Sequence, residues 1–406
     1  MLDLNWMLLA LSGVVLASYL FDLIAHVVRL PSVVMLIASG IGVRLAMDLA
    51  GWRIDMVDVL LPVLGTLGLV LIVLDGALEL RLTRQARGLM ARASLSAVLG
   101  IGVTGYILAA SLHHFMQMDW LRAWVAATPF AVISSAVAIP AASALGGRDR
   151  EHVVYESALS DIFGVLLFYA LLDAEQGVSA VVLNIVSGVG LSSLIGALLG
   201  LLMVSLIGRI EAHVRFVPMI FGLVAAYAGS KLWHLAPLVT VLAVGLILNN
   251  IDQVRHLPKL RTLIPDRLDQ DVSAFKHLTA ELTFVVRTFF FVLLGYSTSI
   301  QELALPAAWA TASFILVVAF VCRIVLLKAL MPGSRTRPLL WFAPRGLITV
   351  LLVISTPNDL RIAGFPDGAL MLTVLGSIVI MSLGTIMDRS SSQGEEQQAN
   401  AEARQD

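Results

Sequence analysis

Three observations predict an all-α integral membrane protein built from about thirteen transmembrane helices. The 406 residues are 58% hydrophobic and 14% charged, whereas a soluble domain carries about 25% charged residues. The apolar residues fall into blocks of roughly 17–25, the helix length that crosses ~30 Å of hydrocarbon. The basic residues gather in every second connection between those blocks. This composition leaves no room for a soluble catalytic domain, so no enzyme is expected, and no G-x-G-x-x-G dinucleotide unit follows a strand. The net charge of −1 says nothing about partners; no nucleic acid is expected, and the expected partner is the lipid bilayer.

The apolar blocks run over about 4–27, 31–50, 57–80, 89–113, 122–145, 150–173, 178–208, 215–231, 235–251, 274–299, 306–330, 336–356 and 367–388. The first begins at an acidic residue, Asp3, and no small-residue cleavage site follows a basic region, which is the pattern of a retained helix. The eighth and ninth are short and are divided by Lys231 and Pro237. The longest polar connection, about 252–273, contains Pro258 and Pro265. Residues 389–406 are rich in Ser, Gln and Glu and are expected to form a short disordered tail.

Odd-numbered connections hold seventeen Lys and Arg residues, from Arg29 to Arg337, and even-numbered ones hold five: Arg44, Arg53, Arg122, Lys231 and Arg361. Cytoplasmic loops are the basic ones. The C-terminus and the tail are therefore expected in the cytoplasm and the N-terminus outside, in a multi-pass plasma-membrane protein of the bacterial inner-membrane type. Cys322 stands alone, which excludes an internal disulfide and a cysteine-based metal cluster.

Two blocks read as broken helices. One carries Thr128-Pro129 and, eleven residues further on, Pro140, with Ser134-Ser135 between them; the other is Phe342-Ala343-Pro344-Arg345-Gly346. Proline removes a helical hydrogen bond and clashes with the preceding turn, and in a membrane the freed groups need other partners. The two blocks are fifth and twelfth, which are corresponding positions in two sets of six. Matched interruptions point to inverted repeats with a site at the bilayer midplane. An ordinary proline kink in each helix is the alternative.

The sixth block contains two carboxylates, Glu156 and Asp161. A charge at this depth costs at least ~2.5 kcal/mol on insertion scales, so it needs a partner or a water-filled path. Five residues apart, the two side chains leave different parts of the helix surface. One can be neutralised by an embedded Arg, with Arg323 as the candidate, while the other stays open to titrate. Ser157 and Ser160 bracket Asp161, and their hydroxyls suit a hard monovalent cation or bond back to their own helix. Asp161 is the candidate cation and proton site, although pairing with an Arg is its alternative. Asp75 either adds charge to that site or orients the loop at Arg81 and Arg84.

At these residues the chain resembles a family. Glu156-Ser157-x-x-Ser160-Asp161 is similar to the E-S-x-x-N-D motif of monovalent cation:proton antiporters of the NhaP/NHE type. The run Arg287-Thr288-Phe289-Phe290-Phe291-Val292-Leu293-Leu294-Gly295 resembles that family's R-T-F-F-F-V-x-L-G helix. Pro344-Arg345-Gly346-Leu347 resembles its second broken helix, and Leu74-Asp75-Gly76-Ala77-Leu78-Glu79-Leu80 its third-helix segment.

The resemblance implies two inverted repeats with crossing broken helices, as in the NhaA/NapA-like fold, in one transporter unit over residues 1–388. Core helices would lie at about 57–173 and 274–388, and the rest would form dimerisation helices of a homodimer. It implies exchange of Na⁺, or K⁺ or Li⁺, for H⁺ by alternating access, with no cofactor beyond the transported ions. Asp161 would bind cation and proton in turn, Ser157 and Thr128 would add ligands, and Thr128 and Pro129 would form the unwound crossing facing Asp161. Glu156 and Arg323 would be a structural ion pair; Arg287, Arg345, Pro129 and Pro344 would support the core. The family's T-D-P reads Ala127-Thr128-Pro129 here, without its carboxylate, and its Asn before the Asp is Ser160. Those departures leave room for a potassium efflux channel-like transporter, or for a sensor or scaffold without transport.

Overall fold

The structure, a computed structural model, describes residues 4–28, 31–49, 51, 57–80, 87–172, 178–207, 216–233, 235–251, 268–331, 337–362 and 364–402. Among these residues every regular element is helical. That is what hydrocarbon requires, because only a helix or a closed barrel satisfies every backbone group internally.

The first half contains α1 (Leu4–Val28), α2 (Ser32–Leu49), α3 (Val57–Glu79), α4 (Arg87–Met116), α5 (Trp120–Ala131), α6 (Ser135–Ala141), α7 (Gly147–Leu172) and α8 (Val178–Ile207). Then come α9 (Phe216–Leu232), α10 (Pro237–Asn249), α11 (Leu268–Ser297), the single turn α12 (Ile300–Leu303), α13 (Pro306–Leu330), α14 (Arg337–Leu340), α15 (Leu347–Ser355) and α16 (Asp367–Glu402). Nine described helical stretches are long and apolar enough to cross a membrane, with α5 and α6 counted together over Trp120–Ala141. Leu11–Ala25, Phe216–Leu232 and Pro237–Asn249 are shorter apolar helices. The stretch expected at 336–356 is divided into α14 and α15. Helices therefore occupy all thirteen expected stretches, and length with composition qualifies nine of them as spans.

The tail departs from expectation. α16 continues to Glu402 instead of ending near 388. Glu, Gln and Ala dominate those last residues, and all three are strong helix formers.

Packing sorts the helices into two bundles. α2, α3, α8, α10 and α11 pack on one another, with α1 against α2 and α11 and α9 against α10. The other bundle joins α4, α5, α6, α7, α13, α15 and α16. The sequence division grouped residues 57–80 and 274–299 with the core; in the structure these two helices pack on each other and on α2 and α10. Reciprocal glycines hold α2 to α11: a Cβ at Gly40 would strike the Val292 carbonyl, and one at Gly295 the Ile37 carbonyl. Across the seam, α3 meets α15, α7 and α6, with Gly65 and Gly68 against Leu351 and Leu347.

The buried interior is aromatic and aliphatic, with Phe168, Phe275, Phe290, Phe291 and Phe342 among the largest enclosed side chains. Leu9, Leu16, Leu23, Val317, Val321 and Val325 project outward. Such an apolar exterior suits lipid and would be a liability in water.

Candidate functional site

The site forms where two helices open. The first opening is Val132–Ser134, between α5 and α6, and this corrects the expected position at Thr128-Pro129. Pro129 lies inside α5, and Thr128 Oγ1 donates to Trp124 O at 2.7 Å, as in a continuous helix. Proline costs a helix one N–H donor and a local clash, which a neighbouring bundle can absorb. The chain opens three residues later, at two β-branched residues and a serine, all weaker helix formers than alanine or leucine. The second opening, Phe342–Gly346, lies where it was expected and contains Pro344.

An opened helix leaves N–H and C=O groups without their i, i+4 partners. Each of the following finds another partner. Ile133 N donates to Ser160 Oγ at 2.9 Å. Ser134 N donates to Pro344 O at 2.9 Å, which ties one opening to the other. Ser135 N donates to Asp161 Oδ2 at 3.0 Å, and Ser135 Oγ donates to the same oxygen. The Phe130 carbonyl, at the end of α5, accepts from Arg345 Nε at 2.7 Å. Arg345 also donates from Nη1 to Ala343 O at 3.1 Å, and its backbone N donates to Ser377 Oγ. A cation at a helix C-terminus and a carboxylate at an N-terminus are both favoured by the helix dipole, so the crossing holds Arg345 and Asp161 at the ends that suit them.

Asp161 is 1% exposed. Its Oδ2 is held by Ser135, while Oδ1 is buried without a hydrogen-bond partner. Ser134 Oγ and Thr349 Oγ1, in the first opening and the first turn of α15, are likewise buried without partners. A carboxylate with one oxygen held by a serine and the other unpartnered offers oxygen chemistry that fits a small hard cation or a proton.

Glu156 sits in the opposite condition. Arg323 Nη1 and Nη2 donate to Oε1 and Oε2, each at 3.0 Å, in a bidentate pair. Ser96 Oγ donates to Oε1 at 2.5 Å, and His152 Nε2 lies 3.6 Å from Oε2. Arg323 Nε donates in turn to Leu339 O at 2.8 Å. The structure thus joins the two residues expected to pair.

The remaining candidates are placed as follows. Ser160 holds the unwound backbone at Ile133 and does not face Asp161 as a free hydroxyl. Ser157 Oγ donates to Val153 O at 2.7 Å, bonding back to its own helix. Asp75 interacts electrostatically with Glu79, Arg287 and Lys276. Arg287 Nη1 donates to Ala136 O at 3.3 Å. Sequence reading passed over Ser135 and Ser96. Ser135 had a signal, a Ser-Ser pair between two prolines; Ser96 had none, since it lies 60 residues from Glu156 in an ordinary helix.

A cavity of about 400 Å³ lies between the two bundles, lined by Pro62 of α3, Pro129 and Phe130 of α5, Val350 of α15, Glu302 and Arg361. It reaches the α5 side of the crossing, and Asp161 is not among its lining residues.

A family model described as the transmembrane sodium/hydrogen exchanger matches residues 12–388. Two solved structures of the sodium proton antiporter MjNhaP1 from Methanocaldococcus jannaschii share the fold. The one determined at pH 8 superposes with a TM-score of 0.71 at 17% identity, covering 96% of this chain and 100% of that one. The one described as an electron-microscopy map gives 0.70 at 18% identity, covering 97% of each.

Proposed function

Because the chain belongs to the transmembrane sodium/hydrogen exchanger family, a family of membrane transporters and not of enzymes, we propose that it exchanges a monovalent cation for H⁺ at Asp161. One observation carries this reading. The Asp161 carboxylate is buried beside an opened helix with Oδ2 held by Ser135 and Oδ1 unpartnered, so one oxygen is available to a cation or a proton in turn. Competition for a single carboxylate is sufficient to couple the two fluxes. Na⁺ is the leading cation, by analogy with the antiporter whose fold is shared.

The two bundles meet across a seam with a cavity on one side of the crossing, which supports alternating access by movement of one bundle against the other. Basic residues in the odd-numbered connections support a cytoplasmic C-terminus. Glu156 is already neutralised by Arg323, so one titrating carboxylate supports electroneutral 1:1 exchange.

The test is purified protein in proteoliposomes carrying a pH-sensitive dye, with Na⁺, K⁺ and Li⁺ added separately. Wild type should collapse an imposed pH gradient with at least one cation, at a rate independent of clamped voltage. Asp161→Asn should abolish the flux while leaving elution of the folded protein unchanged. Unimpaired exchange by Asp161→Asn would remove the site, and a voltage-dependent rate would remove the 1:1 ratio.

A further inference from the structure

Building on exchange at Asp161, we infer that Arg287 is a positioning residue that latches the second half of the broken helix to the opposite bundle. In a helix the carbonyl of Ala136 would accept from the N–H of residue 140, but residue 140 is Pro and has none. That carbonyl is in the first turn of α6, one residue after the Ser135 that holds Asp161.

The missing donor is supplied from outside the bundle. Arg287 belongs to α11, which packs chiefly on α2 and α3, yet its Nη1 reaches Ala136 O, on α6, at 3.3 Å. Its guanidinium lies 5.9 Å from the centre of the Phe284 ring and interacts with the carboxylates of Asp22 on α1 and Asp75 on α3. Both carboxylates belong to the same bundle as Arg287. The charge is therefore anchored on one bundle while its donor grips the other.

Arg345 makes a useful contrast. It satisfies the Phe130 carbonyl at the other half of the broken helix from within the same bundle, so that bond can travel with the moving body. The Arg287 bond cannot, because its two ends lie on bodies that shift relative to each other. It must be made in one state of the cycle and exchanged in another. A long, always-charged side chain with several donors suits a bond that is repeatedly broken and remade.

The experiment separates a latch from a simple backbone cap. Pro140→Ala returns an N–H to Ala136 O without touching Arg287. In proteoliposomes, Arg287→Met should lower the maximal exchange rate about tenfold while the apparent KM for the cation stays within about twofold, the pattern of a lost interaction outside the binding site. Arg287→Lys should recover part of the rate. The double variant Arg287→Met with Pro140→Ala should regain thermal stability in detergent but not rate.

Recovery of rate together with stability would make Arg287 a cap and overturn the latch, as would a change in KM alone or wild-type kinetics in Arg287→Met. If Arg287→Met fails to fold, Arg287→Lys alone decides: a reduced rate at unchanged KM supports the latch, and unchanged kinetics overturns it. Asp161→Asn is measured beside these variants. Exchange that survives it would remove the antiport site itself, a failure distinct from that of the latch.

Discussion

Glu156 and Asp161 stand five residues apart on α7, both about equally buried, and they have opposite surroundings. Glu156 meets a guanidinium through both oxygens and a serine through one. Asp161 meets a serine hydroxyl and a backbone N–H through one oxygen and nothing through the other. Burial is common to the two, so burial does not decide which carboxylate works. The partners differ: a saturated carboxylate contributes architecture, and a half-saturated one retains capacity for a visitor, which is the part proposed for Asp161. The geometry behind the difference is the opened helix, which presents the N–H and hydroxyl of Ser135 to Asp161, while Arg323 reaches Glu156 from α13.

The largest effect is expected from unpairing Glu156. Glu156→Ala leaves Arg323 buried with its charge uncompensated, which should cost ~3–5 kcal/mol of stability. The expected outcome is a large loss of folded protein in a detergent thermal-stability assay. Removing both charges with apolar residues, Glu156→Leu with Arg323→Met, should restore much of the stability, since a buried pair is often replaceable by packing. A stable Glu156→Ala that no longer exchanges ions would give Glu156 a direct part in transport and erase the contrast.

A smaller effect is expected at the other carboxylate's donor. Ser135→Ala removes the hydroxyl donor to Asp161 Oδ2 but keeps the backbone N–H. Hydrogen bonds to charged groups contribute about 1.5–3 kcal/mol, so the apparent cation affinity at fixed pH should weaken roughly tenfold or more. The protein should elute and melt nearly as wild type does, because the helix opening is still held by Ile133 to Ser160 and Ser134 to Pro344. Unchanged affinity would mean that Oδ2 is not part of the working carboxylate, and that the two acids differ less than their partners indicate.

The same contrast explains what the sequence could and could not reveal. The burial of Asp161, Glu156 and Arg323 was legible because a charge inside an apolar block is costly and must be accounted for by a partner or a function. Their pairing followed from the residues and from the family motif. The place of the first opening was not legible. Proline at 129 looked like the break, yet a proline inside a helix removes one donor and the helix continues. Weak helix formers at Val132–Ser134 allow the opening, and the receivers of its N–H groups, namely Ser160 Oγ, Pro344 O and Asp161 Oδ2, hold it there; these receivers come from other segments. Ser96 was hidden for the same reason, since nothing in α4 marks the one serine that faces Glu156. The second opening was legible because Pro344 falls inside the extended stretch itself.

Ser157 gives the smallest and most discriminating test. The family resemblance makes it a ligand beside Asp161, while the geometry has its hydroxyl donating to Val153 O one turn back. A serine so bonded adds little to helix stability, and Ser157→Ala should change stability by less than ~1 kcal/mol. If the hydroxyl only closes on its own helix, cation affinity in proteoliposomes should stay within about twofold, well below the Ser135→Ala effect. A loss of affinity equal to that of Ser135→Ala would instead show that the Ser157 oxygen turns a lone pair to the ion while its proton stays on the helix. The working set would then extend one turn from Asp161 toward Glu156, and the boundary between the architectural acid and the transporting one would lie between residues 156 and 157.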